Sequence, residues 1–360
     1  MWPYVLLTFV PIIIQETRHL KISFNPSELK RRSKLPMIIF WSFLTLLLVF
    51  RSEKVGIDLS KYLIIFKSVG AKSWGAAITR SAEVANNFML KAIYELTADF
   101  RWVMVISAIL SVLFISWAYV KYSSDASLTI VLFMNMTNFI LLFSGLRQSI
   151  AISLGFLAFE FVRSKKIVPF ILIVALAMLF HTSAFMLAFM YPLYRVRITR
   201  KWLVGIIPAM LILFLFNKPV FTFLGSILER FTKYDSTITQ TGSYTMLVLL
   251  AMFAAFSFII PDEKSLDDDT VGMRNFLLLA VMLQMFAPLH TIAMRMNYYY
   301  IAFIPLVIPR IIAHRSVRWN QIAIIARYVF IVYFCLYFFF SVYQKNDLMT
   351  FPYRFFWETA

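Results

Sequence analysis

Apolar runs of about 12–22 residues recur along this chain, separated by short turns of which every second one is basic. That pattern constrains the fold more than any single motif. About twelve such segments can be placed, near 2–15, 35–50, 101–120, 127–144, 148–162, 167–180, 183–194, 202–216, 244–260, 274–290, 298–312 and 320–341, most of them close to the short limit for crossing a bilayer. Hydrophobic residues make up 61% of the 360 residues and charged ones 15%, with mean hydropathy +0.77. A soluble domain of this length has too little interior for so much apolar surface. The expectation is an all-α polytopic integral membrane protein of about twelve transmembrane helices in one domain over 1–360. The start, Met1-Trp-Pro-Tyr, has no basic stretch ahead of its apolar run and reads as a retained first span. Cys335 is the single cysteine, so no internal disulfide forms.

Alternating the segments sorts the turns onto two sides. One side receives Arg18, Lys21, Lys30, Arg31, Arg32 and Lys34, then Arg163, Lys165 and Lys166, then Arg195, Arg197, Arg200 and Lys201, and finally Arg310, Arg315 and Arg318. Short basic loops mark the cytoplasm. An acidic loop over 261–273, with Asp262, Glu263 and Asp267 to Asp269, falls on the same side and reads as a solvated, flexible loop. The other side receives a long segment over 51–100, expected to form short helices across the outer mouth, and a second external loop over 217–243. It also receives the turns at Arg147 and His181 and the stretch from His290 to Asn297. The net charge of +17 fits this sidedness and anionic headgroups, and needs no nucleic acid.

Two segments stand out. Gln148 to Val162 runs towards Arg163, and Ile167 to Phe180 runs back. Each leg covers roughly 22–24 Å, so Arg147 and His181 return to the same side at similar depth, close to the membrane surface. Ionisable groups held there are costly and usually face a cavity. Arginine offers a planar fork suited to phosphate oxygens, although snorkelling to headgroups competes as an explanation. An imidazole suits general-base work on a sugar hydroxyl, against the plainer reading of a histidine hydrogen-bonded within the bundle.

Arg295, in Met294-Arg295-Met296-Asn297-Tyr298-Tyr299-Tyr300, begins another segment on that side. It would be a second phosphate clamp, and the aromatic triplet either an interfacial belt or a stacking surface for a sugar ring. Asp58, between Gly56 and Tyr62, is a weaker candidate, and Glu83 weaker still. The chain has no cysteine–histidine cluster, no phosphate-binding glycine loop and no nucleophile elbow, and its outer face lacks an Asp-x-Asp pair. The residues therefore ask for no metal, nucleotide or other cofactor.

In order along the chain, Gly56-Ile-Asp58 with Tyr62 and Phe66, Gly145-Leu-Arg147-Gln148-Ser-Ile-Ala151, Leu179-Phe-His181-Thr-Ser183-Ala184 and Arg295 with Tyr298 to Tyr300 resemble the motifs of the EpsG family, which is grouped with Wzy-type polysaccharide polymerases. The glycine–aspartate element departs most, because Leu59-Ser60-Lys61 follow it where the family has a fuller Asp-Tyr neighbourhood. The resemblance implies a metal-independent, GT-C-like glycosyltransferase in the bacterial inner membrane, acting at the periplasmic face. Its donor and acceptor would be undecaprenyl-diphosphate-linked oligosaccharides of O-antigen or capsule type, with a chain-length regulator as a further partner. It implies Arg147 and Arg295 on the diphosphate, with Gln148, Asn297, Tyr298, Tyr299 and Tyr62 as further substrate-binding residues. His181 would be the base, with Asp58 or Glu83 contacting the acceptor or taking the base role instead.

A flippase for the same lipid-linked sugar would place its charges nearer the midplane, open to both sides. A membrane acyltransferase would pair His181 with an acid four residues on, where this chain has Phe185.

Overall fold

The computed structural model describes residues 1–20, 34–79, 81–227, 242–313, 320–346 and 348–358. The expectations resting on Lys21, Lys30, Arg31, Arg32, Arg315 and Arg318, and on most of the loop 217–243, lie outside the described residues. Among the described residues the chain is helical, and the one extended pairing is an isolated bridge between Arg51 and Phe355.

The first half comprises α1 (Trp2–Leu20), α2 (Lys34–Phe50), α3 (Leu59–Gly70), α4 (Trp74–Thr79), α5 (Val84–Thr97), α6 (Phe100–Tyr122), α7 (Ala126–Asn135), α8 (Thr137–Ser144), α9 (Leu146–Arg163) and α10 (Ile167–Phe180). A 3₁₀ segment, Thr182–Phe189, leads into α11 (Met190–Arg195). Then follow α12 (Leu203–Leu215), α13 (Asn217–Ile227), α14 (Gly242–Ile259), α15 (Asp268–Gln284), α16 (Thr291–Ile301), α17 (Ile304–Ala313) and α18 (Asn320–Tyr337), the last continuing through a π turn to Lys345. Short polar side chains open several of these helices. Asp99 accepts the Arg101 N–H (2.8 Å), Asp125 that of Leu128 (3.1 Å) and Asp267 that of Thr270 (2.8 Å), each filling an orphan donor of a first turn.

The helices follow the apolar segments. Among the described residues two helices, Phe100–Tyr122 and Ile324–Lys345, are long and apolar enough by themselves to cross a membrane, and up to five spans qualify if each of three bent pairs counts as one. The expected run 127–144 is broken by 62° between α7 and α8. Met136 is extended there, and the Asn135 amide donates to the carbonyls of Val131 (2.7 Å) and Phe334 (2.9 Å), so a side chain takes over where the helical ladder stops. The segment 183–194 begins as a 3₁₀ helix, and the last part of 274–290 is a turn after Gln284. The segment placed at 298–312 begins at Thr291 and bends by 44° into α17.

One apolar core runs through the bundle from Tyr4 to Tyr353, and a smaller cluster around Leu59, Phe66, Leu90 and Met104 sits beneath α3 and α5. The segment 51–100 thus forms three short helices, α3 to α5, packed on the bundle. Arg51, fully buried, donates to the Leu142 carbonyl (3.1 Å) and ties the turn after α2 to α8.

At the other end of α9 the acidic loop is exposed at Asp267 and Asp268, which keep 62% and 85% of their side-chain surface, and it is also met by arginines. Arg163 meets both Asp269 oxygens (2.6 and 2.8 Å), and the Tyr194 hydroxyl donates to the same carboxylate (2.6 Å). Arg310 reaches Asp267 (3.3 Å), Arg197 reaches Asp268 (3.3 Å), and Glu263 accepts the Arg200 N–H (2.9 Å). Basic residues from separate turns thus meet this loop, at a largely buried carboxylate in Asp269 and at surface carboxylates in Asp267 and Asp268. Arg147 and Arg163 are sixteen residues apart on α9, roughly 24 Å along the axis.

Gly56 takes φ +126°, a conformation side chains rarely adopt, and a Cβ there would lie 2.1 Å from the Phe143 carbonyl oxygen. Gly56→Ala should destabilise the protein by on the order of 1–3 kcal/mol from backbone strain alone. A melting temperature in detergent equal to that of the parent would contradict this packing.

Candidate functional site

The hairpin of α9 and α10 returns its two ionisable ends to one place, as its length requires. Arg147 stands in the first turn of α9, and His181 ends α10 in an extended conformation. What joins them is Glu83, the residue before α5. One of its oxygens pairs with Arg147 Nη1. The other lies 2.8 Å from His181 Nδ1 and also accepts the Thr182 N–H at 3.4 Å. The Glu83 and His181 side chains keep 12% and 14% of their surface and Arg147 keeps 31%, so the cluster is recessed yet reachable, with arginine at its mouth.

Burial alone would raise the Glu83 carboxyl, but the hydrogen bond with His181 and the charge of Arg147 outweigh it and hold the group below its ordinary 4.5. An ionised carboxylate only accepts, so Nδ1 donates to it, and Nε2 has no hydrogen-bond partner among the described residues. A lowered folded value means the contribution is present above about 4.5 and lost as pH falls below it. The melting-temperature gap between the parent and Glu83→Gln should therefore close on acidification through that range. A gap independent of pH would argue against an ionised Glu83.

Tyr62, from α3, supports the arginine: its ring lies under the guanidinium (5.4 Å to the centroid) and its hydroxyl is 3.5 Å from Nε. Gln148 donates from Nε2 to the Arg295 backbone carbonyl (2.6 Å), bringing α16 against the start of α9. The Arg295 side chain is exposed, and the structure gives it no hydrogen-bond or ion-pair partner among the described residues. The Tyr299 hydroxyl lies 3.1 Å from Ser183 Oγ, two residues beyond His181.

Three candidates are placed elsewhere. Asp58 caps the approach to α3. Its Oδ2 accepts from Ser144 Oγ (3.0 Å), its N–H donates to the same hydroxyl (3.2 Å), and Lys61 is 3.5 Å away. It does not touch the Glu83 cluster. Asn297 is fully buried and donates to the Ala280 carbonyl and to Gln284 Oε1, both at 2.9 Å, a link within the bundle. Tyr298 is buried too, and so are Tyr299 and Tyr300. An interfacial belt or a stacking platform needs exposed ring faces, which these rings lack; Tyr299 and Tyr300 meet the 3₁₀ segment instead, the Tyr300 hydroxyl donating to the Met186 carbonyl (2.5 Å).

Sequence reasoning passed over Ser144 and Ser183 and ranked Glu83 last. The available signal was position: a carboxylate directly before a helical run is expected to cap it. Glu83 does not cap its own helix, which frees its side chain to reach two other elements.

Searches of curated proteins and of solved structures find no match. The EpsG family profile matches residues 34–355, a stretch that takes in Gly56, Asp58, Glu83, Arg147, His181 and Arg295. That family is related to the Wzy-type polymerases. With nearly the whole chain matched, the protein belongs to the EpsG family.

Proposed function

We propose that this protein is a polysaccharide polymerase that moves a growing glycan from undecaprenyl diphosphate to a sugar hydroxyl of a lipid-linked repeat unit. It works at the periplasmic face of the bacterial inner membrane, with the segments too short to qualify as spans alone completing a GT-C-like bundle. The observation that carries the reading is the carboxylate of Glu83 shared between Arg147 and His181, a cationic fork beside an oriented base. Family membership supports the same class of activity.

His181 Nε2 takes the proton of the acceptor hydroxyl, and that oxygen forms a bond to the donor's anomeric carbon. The bond from that carbon to the diphosphate oxygen breaks, and its electron pair leaves with the diphosphate. Arg147, and Arg295 from the neighbouring α16, meet the charge that develops there, a task that water-excluded cationic donors perform well. Glu83 holds the imidazole in the tautomer that presents Nε2 and offsets the charge it gains. Each linkage releases one undecaprenyl diphosphate, without metal or nucleotide.

Reconstitution in vesicles with a lipid-linked repeat unit, in chelator and without nucleotide, distinguishes this from transport. A polymerase lengthens the glycans. Passage of the lipid across the bilayer with its glycan unchanged in length would make the protein a flippase and contradict the proposal.

A further inference from the structure

The Gly56–Asp58 element takes no part in the Glu83 cluster, yet it borders a groove of about 460 Å³. The groove lies between the turn after α2, the start of α3 and residues 349–354. Its walls are joined by backbone bonds: Gly56 N–H donates to the Met349 carbonyl (2.9 Å), Ile57 N–H to Leu348 (2.9 Å) and Ser52 N–H to Arg354 (2.8 Å). Ile57, Leu63, Phe351 and Pro352 give it an apolar lining, and Lys54 and Arg354 stand exposed along it. The structure gives neither cation a side-chain partner among the described residues, and the one carboxylate on the lining is Glu53.

The groove lies at the same end of the bundle as Arg147. Asp58 is held by Ser144, three residues before Arg147, and Gly56 packs on the Phe143 carbonyl. Helix α3 borders both places from adjoining faces: Tyr62 meets the Arg147 guanidinium, while Leu59 and Leu63 line the groove.

The polymerase reading, on which this inference rests, consumes two lipid diphosphates at one face. Arg147 and Arg295 serve the donor, whose diphosphate must sit at the reacting carbon. In the acceptor the reacting hydroxyl and the diphosphate are separated by sugars of the repeat unit, so its diphosphate needs cations set apart from His181. We infer that the groove holds the acceptor: Lys54 and Arg354 on its diphosphate, and the Ile57–Leu63–Phe351–Pro352 wall against the first prenyl units.

Undecaprenyl diphosphate is the probe and undecaprenol the control, bound to the purified full chain. Wild type should take up two diphosphate lipids per chain. The surface double variant Lys54→Ala/Arg354→Ala should take up one, as should Arg147→Ala/Arg295→Ala, while Lys54→Arg/Arg354→Lys should keep both. In elongation with a long-chain donor and a labelled repeat-unit acceptor, Lys54→Ala/Arg354→Ala should raise the acceptor KM about tenfold, a loss of about 1.4 kcal/mol. The donor KM should stay within about twofold. One lipid on the wild type, two on Lys54→Ala/Arg354→Ala, an unchanged acceptor KM, or equal uptake of undecaprenol at the groove would overturn the inference. Uptake of both lipids by Arg147→Ala/Arg295→Ala would instead overturn the donor site.

Discussion

Arg147→Lys should slow chain elongation about 100-fold or more, the scale on which losing one well-placed donor to a developing anion acts. In the structure Arg147 spends Nη1 on Glu83 and rests its guanidinium over Tyr62, with Nε near the Tyr62 hydroxyl, which leaves Nη2 for a ligand. A planar fork can hold a carboxylate and a phosphate at once. A lysine ammonium is a compact point charge on a flexible stem and cannot hold both in one geometry. The measurement is kcat/KM of purified protein with a lipid-linked repeat unit. Turnover close to wild type would return Arg147 to the role of an arginine that merely reaches for headgroups.

Glu83→Gln should cost about 10²–10⁴ in rate while leaving the protein folded. An amide can still hydrogen-bond, but it no longer fixes the proton on His181 Nδ1, and it gives neither the imidazolium nor Arg147 a counter-charge. Groups that act as one unit are strongly non-additive. The double variant Glu83→Gln/His181→Ala should therefore be little slower than His181→Ala alone. Multiplying effects would mean that Glu83 and His181 act separately. Undecaprenyl diphosphate binding should survive in Glu83→Gln, because Arg147 is then free to engage it.

The sequence made some of this legible and hid the rest for physical reasons. Helix length alone places Arg147 and His181 at one level, because two legs of similar rise joined by a tight turn must come back together. Their partner was hidden because Glu83 is 64 residues from Arg147 and 98 from His181 along the chain, and no local periodicity encodes a contact so distant. The tyrosine triplet misleads for the opposite reason. Tyr298 to Tyr300 look like a surface belt in one dimension, yet all three rings are buried, with Tyr299 and Tyr300 meeting the 3₁₀ segment after His181. The acidic loop reads as solvated, as Asp267 and Asp268 are, but its ion pairs are not legible because their partners are distant along the chain. Their arginines arrive from α9, α17 and the segment after α11. Polar breaks such as Asn135, and the 3₁₀ start after His181, are likewise decided by tertiary hydrogen bonds that an apolar pattern does not record.

The central claim is that one recessed cluster, Arg147–Glu83–His181, transfers a glycan from a lipid diphosphate. A single-turnover reaction tests it most directly: purified protein loaded with a diphosphate-labelled, lipid-linked donor is mixed with a defined acceptor in chelator, without nucleotide. The account predicts one undecaprenyl diphosphate released for every glycosidic bond formed, at matching rates, with both signals lost together in Glu83→Gln. Chain growth at close to the wild-type rate in Glu83→Gln, or diphosphate release without chain growth in the wild type, would contradict it.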